Sequence, residues 1–167
     1  HWFKKNAKII IYITVLIVLV LGTYFYKKYN KKVIYVQQRQ QLSSMLTNLQ
    51  NLKYQILNSQ AKGMDTSINL IQLSNQFDDF AVSVKDKNMS ALAYIKSGQA
   101  IRTELQYRPQ KIGSEELKMQ LNKAKEAYQK AMTKAAGNPP LTAQAKLGIA
   151  LCHEELEEYS KAREIYE

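Results

Sequence analysis

"TAQAKLGIALCHEELEEYSKAREIYE", residues 142–167, decides how this chain is read, because both halves of it occur earlier. The first half answers to "SALAYIKSGQA" from Ser90. At an offset of 52, Ser90 matches Thr142, Ala91 matches Ala143, Ala93 matches Ala145, Ile95 matches Leu147 and Gly98 matches Ala150. The second half, "YSKAREIY" from Tyr159, answers to "LNKAKEAY" from Leu121. At an offset of 38, Leu121 matches Tyr159, Lys123 matches Lys161, Ala124 matches Ala162 and Tyr128 matches Tyr166. The pattern is two copies of a helix-turn-helix unit. Ser90 and Thr142 are hydroxyl N-cap candidates, and "AAGNPP" between the copies reads as a helix stop with a prolyl restart at Asn138-Pro139-Pro140. The two offsets differ by fourteen residues, expected as a long inner loop in the first unit around "QYRPQKIGSEELK", where Pro109 and Gly113 are breakers.

The residue types have a packing logic. Two antiparallel helices approach closely only where one presents Gly or Ala to the other's Ala, and an aromatic ring fills the space one turn on. A single hairpin cannot bury its apolar face alone, so such units are expected in arrays, here continuing past Glu167.

The same stretch holds the only cysteine, Cys152, beside His153 and a run of glutamates. A helical zinc site of the metalloprotease kind needs a second His four residues after the first, and that position is Glu157. The other histidine is His1, too little for a multi-His metal centre. Cys152 as a nucleophile needs a base, and its helical neighbour points about 100° away. Both residues therefore read as helix filler. With no Gly-rich phosphate loop, Ser-centred elbow or convincing carboxylate pair, the sequence points to a binding protein and not an enzyme, with no metal or cofactor.

Composition agrees with helix throughout: 167 residues, 46% of them hydrophobic, with only 6 Gly and 3 Pro. The net charge of +10 is local. Seven lysines (4, 5, 8, 27, 28, 31 and 32) flank one apolar run, and without them 17 basic residues face 14 acidic ones. A nucleic-acid partner is not indicated.

That run, "IIIYITVLIVLVLGTYFY" at residues 9–26, carries no charge over 18 residues, and twelve of them are Ile, Leu, Val or Phe. At about −0.3 to −0.6 kcal/mol each, insertion into a bilayer would gain at most about 4 to 7 kcal/mol. Trp2 and Phe3 at one end, and Tyr24, Phe25, Tyr26 and Tyr29 at the other, fit interfacial belts. The expectation is a single transmembrane helix, with Lys27, Lys28, Lys31 and Lys32 meeting anionic lipid headgroups. Charge alone leaves its orientation open.

Between the anchor and the repeats no breaker interrupts residues 31–60. Leu42, Met45, Leu49, Leu52 and Ile56 form a seam at 3-4 spacing, too short for a confident coiled coil and read as packing on the chain's own domain. Gly63 is a candidate stop and Asp65 or Thr66 a candidate cap for the next helix, whose Ile68, Leu70, Ile71, Leu73, Phe77 and Phe80 are expected core. The expected organisation is a short basic tail (1–8), a transmembrane helix (9–26), a juxtamembrane helical segment (27–84) and a repeat domain (85–167). The chain starts at His1, so its native start is expected upstream.

The small residue in the first helix, Tyr159 and Ala162 opening the second, Tyr166 one turn later and the prolyl punctuation resemble tetratricopeptide repeats. The likeness covers residues 88–167. The usual Trp is absent, and "LEE" stands before Tyr159 where the family commonly has Gly. With the basic tail, anchor and helical lead-in, the layout is similar to the membrane-anchored tetratricopeptide-like family that includes the ancillary subunit of the bacterial Sec translocon. The four lysines after the anchor depart from that layout. The resemblance implies an all-α protein of the inner (plasma) membrane with an extracytoplasmic repeat domain, scaffolding protein contacts beside translocation or envelope chaperones. The alternative is an accessory structural subunit of a larger, energy-transducing membrane complex. It further implies that the first helix of each unit lines a concave protein-binding surface: Leu92, Ile95, Gln99, Arg102 and Thr103, then Gln144, Leu147, Leu151, Glu154 and Glu155.

Overall fold

In a computed structural model of the chain, structure is described for residues 2–60, 67–108 and 112–167, the side chains of 2–11, 13, 59 and 60 excepted. Every regular element among these is a helix: α1 (Trp2–Gln60), α2 (Ile68–Ser83), α3 (Lys87–Tyr107), α4 (Ser114–Lys134), α5 (Pro139–Glu155) and α6 (Tyr159–Tyr166). The chain divides into two units, His1–Gln40 and Gln41–Glu167.

In the first unit the transmembrane expectation is overturned. Among the described residues, no helix is long and apolar enough to cross a membrane. Beyond Tyr26, α1 turns to Lys27, Lys28, Lys31 and Lys32. The inner-membrane placement and extracytoplasmic orientation rested on the run at 9–26 as a span and fall with it. The side chains of Trp2, Phe3, Lys4, Lys5 and Lys8, and of the run's residues 9–11 and 13, lie outside the described residues, as do Gly63, Asp65, Thr66 and Pro109.

The second unit is a stack of helices. Residues 41–60 and α2, expected as a lead-in, belong to the same unit as α3 to α6. The 3-4 seam is buried throughout, Leu42, Met45, Leu49, Leu52 and Ile56 being 8% exposed or less, in one cluster with Leu70, Phe77 and Ile101. Each fully buried Leu, Ile or Phe contributes about 1.5–3 kcal/mol. Ile68 is the exception among the residues expected in the core, at 55% exposed. From α2 onward each helix packs on the next, and α3 also touches α5 across α4. The connections are short, so each helix returns along its predecessor.

The helix starts correct the capping expectation. Ser90 and Thr142 lie inside α3 and α5, and the caps are Asp86 and Asn138, four residues earlier. Asp86 accepts from the Met89 amide at 2.9 Å and Asn138 from the Leu141 amide at 3.3 Å. The two caps preserve the offset of the copies. The hydroxyls instead tie each helix to the one before it: Ser90 Oγ donates to the Ala81 carbonyl at 2.7 Å, and Thr142 Oγ1 to the Ala135 carbonyl at 3.1 Å.

The fourteen extra residues of the first unit are mostly helix. Taking the offsets of the two copies, four lengthen the end of α3, three lengthen the connection and seven lengthen the start of α4. The added turns are stitched by charge. Arg108 Nε donates to the buried Glu104 carboxylate at 2.7 Å, and Arg108 Nη1 to Glu116 at 2.8 Å. A loop became helix because these residues found partners along it.

Candidate functional site

The groove of interest runs between α3 and α5, and its floor is Tyr128 of α4. Tyr128 is 3% exposed. Its ring fits because two glycines leave room for it. A carbon added to Gly98 of α3 would lie 2.8 Å from Cε2, and one added to Gly148 of α5 would lie 2.3 Å from Cε1. Real carbon contacts sit near 3.5–4.0 Å, so at both positions only hydrogen is accommodated without a shift. Gly98 also brings α3 close to α4, where the added carbon would meet the Ala124 carbonyl at 3.0 Å.

One end of the groove is closed by charge. Arg102 of α3 meets Glu155 of α5 in a two-pronged pair, Nε to Oε2 at 3.0 Å and Nη2 to Oε1 at 2.7 Å. Gln106 adds a third bond to Glu155 at 3.2 Å. Burial acts to lower the Arg102 pKa, but the hydrogen bonds and charge of Glu155 outweigh it and hold the guanidinium more firmly charged than usual. Burial pushes the Tyr128 phenol up to about 12, with neighbouring Arg102 pulling the other way.

Between that closure and the open end, a cavity of about 280 Å³ is lined by Ile95, Lys96, Gln99, Gln144, Leu147 and Leu151, with Arg102, Tyr128 and Gly148. Leu147 stands 49% exposed over it. Lys96 and Gln99 also line a second cavity of about 560 Å³, walled on the other side by Leu46, Leu49, Gln50, Lys53, Tyr54 and Leu57 of α1 and by Tyr107. Lys96 and Gln99 thus border both cavities. Burial lowers the pKa of Lys53 and of Lys96, and the charge of Lys96 lowers that of Lys53 further. Lys96 donates to Gln99 at 2.9 Å.

Of the ten residues expected on the concave surface, Ile95, Gln99, Arg102, Gln144, Leu147 and Leu151 line this groove, and Glu155 closes it. Leu92 packs against the core. Thr103 is buried, and its hydroxyl donates to the Gln99 carbonyl in its own helix at 2.7 Å. Glu154 is exposed on α5. The sequence reading omitted Lys96, Gly148 and the whole α1 wall. Lys96 and Gly148 are equivalent at the repeat offset, and both follow a groove-lining residue, Ile95 or Leu147. That was the available signal.

Cys152 is fully buried, and burial pushes its thiol up to about 12, so it stays protonated at neutral pH. His153 Nδ1 contacts the Glu158 carboxylate. Among the described residues no group of three or more His, Cys, Asp or Glu could hold a metal ion. Comparison of the chain with protein-family models, with curated proteins and with solved structures gives no match.

Proposed function

We propose that residues 87–166 form a protein-interaction module of the tetratricopeptide kind, holding an extended segment of a partner protein in the groove between α3 and α5. The observation that supports this reading is the groove itself: exposed Leu147 and half-buried Leu151 face Gln99 and Gln144 in a channel that Arg102 and Glu155 close at one end. Apolar anchors with a few directed amides are what an extended peptide needs, aliphatic side chains fitting beside the leucines while its backbone bonds to the glutamines. The packing of Tyr128 between Gly98 and Gly148 also supports it, because it brings the two first helices side by side. The assignment to translocation or envelope chaperoning depended on the membrane layout and goes with it.

The test is site-specific photocrosslinking in the native cell, with the probe at Leu147 in the groove or at Met119, exposed on α4. The expected result is a defined partner set from Leu147 that Met119 does not give. Identical adducts from both positions would refute the reading.

A further inference from the structure

The chemistry of the groove's wider half narrows the partner. Lys53 of α1 and Lys96 of α3 line one cavity of about 560 Å³, and none of its lining residues among the described ones is acidic. Among the described residues neither ammonium meets a carboxylate: the ion pairs of the second unit involve Arg102, Arg108, Lys118, Lys130, His153, Lys161 and Arg163. Two partly buried cations lining one cavity raise each other's energy, and an anion between them relieves it.

We propose that this cavity receives the carboxylate of an Asp or Glu side chain from an extended partner peptide, seated between Lys53 and Lys96. The proposal rests on the peptide-groove reading above and adds the charge of the ligand. Burial lowers the pKa of both lysines, and that is the cost an anion relieves on arrival. Leu46, Leu49 and Leu57 flank the lysines, so the residues on either side of the acid are aliphatic. Lys96 and Gln99 also border the cavity lined by Leu147 and Leu151, so a peptide lying over them would run from one cavity to the other. A free phosphate fits less well. The described lining residues lie within α1 and α3, so their backbone amides are spent in helix bonds and add no donors beyond the side chains. A nucleic acid would ask for a broad basic track with stacking faces, whereas these two lysines sit among leucines.

The test measures binding of short fluorescent peptides, in which Leu flanks either Glu or its isostere Gln, to the full chain by anisotropy at low and high salt. The Glu peptide is expected to bind about tenfold or more tightly than the Gln peptide, as befits a charge-assisted pair. K53M and K96M should each erase that difference, K53R with K96R should keep most of it, and high salt should shrink it. The Met variants remove like-charge repulsion and keep the aliphatic stems, so their melting temperature, measured alongside, should not fall. Equal binding of the two peptides, still abolished by Leu147→Asp, overturns the anion inference and leaves the groove reading standing. No binding of either peptide overturns both. Tighter, lysine-dependent binding of a single-stranded RNA than of the Glu peptide overturns the proposal by naming the wrong class of ligand.

Discussion

Alanine at Gly148 tests the packing on which the groove depends. A Cβ there would lie 2.3 Å from Tyr128 Cε1, 2.4 Å from Cδ1 and 2.5 Å from Cζ. Each separation is roughly 1 Å or more inside carbon–carbon contact. The ring cannot retreat toward α3, because Gly98 already crowds its other edge. Overpacking of this kind costs about 1–3 kcal/mol. Opposing it, alanine gains about 1 kcal/mol over glycine in helix propensity. With the clash at the top of its range, the net loss should be about 2 kcal/mol, lowering the thermal midpoint by roughly 5–10 °C for a unit of this size. The diagnostic is a double-mutant cycle with Tyr128→Ala, read by urea unfolding followed by circular dichroism. Without the ring, Gly148→Ala should be stabilising by up to about 1 kcal/mol, giving a coupling of about 3 kcal/mol. An equal cost in both backgrounds would refute the account of the groove floor, and so would a stabilising Gly148→Ala in the native background.

Other perturbations have clear directions. Glu157 holds φ 61°, the left-handed conformation that closes α5, where the Glu158 amide reaches the His153 carbonyl at 2.8 Å and the Glu157 amide the Glu154 carbonyl at 2.9 Å; Glu157→Gly should therefore stabilise by about 1 kcal/mol in thermal melts. Asp86→Ala and Asn138→Ala should each cost about 1 kcal/mol by removing a cap, measurable in the same melts. Arg102→Met should cost about 1–3 kcal/mol in denaturant titration, because it leaves the half-buried Glu155 without its two-pronged partner. Burial raises the Cys152 thiol from 9.0 and the Tyr128 phenol from 10.0, each to about 12. A raised acid binds its proton more tightly when folded, so its contribution is complete below the unfolded value and lost as pH climbs to the folded one. Unfolding free energy should then fall from pH 9.0 toward about 12, and Cys152→Ala should flatten the first part of that fall.

What the sequence made legible was local periodicity and what it left out was partnership. The 3-4 seam at Leu42 to Ile56 and the Ala124–Tyr128 pair could be read from spacing, since burial on a helix leaves a 3.6-residue trace. Capping was misplaced by one turn because Ser90 and Thr142 are good capping types, but their hydroxyls had carbonyls of the previous helix within reach. The fourteen-residue insertion looked like a loop because Pro109 and Gly113 mark breaks. Arg108 pairs with Glu104 and Glu116, only four and eight residues away, and that local charge pattern outweighs the breakers along the lengthened helices. Uniform apolarity at 9–26 suggested a span, yet no helix meets that requirement among the described residues. Six of the ten concave residues do line the groove, but the α1 wall with Lys53 comes from outside the repeats, where no repeat logic could nominate it.

The ring of Tyr128 between Gly98 and Gly148 has one more consequence. It works as a spacer: the breadth of one aromatic ring at the groove floor sets how closely α3 and α5 approach at Gly98 and Gly148. Phenylalanine would keep that gauge, leucine would let the walls draw together and tryptophan would wedge them apart. Groove width could therefore be retuned from its floor, leaving the leucines and glutamines of its walls unchanged.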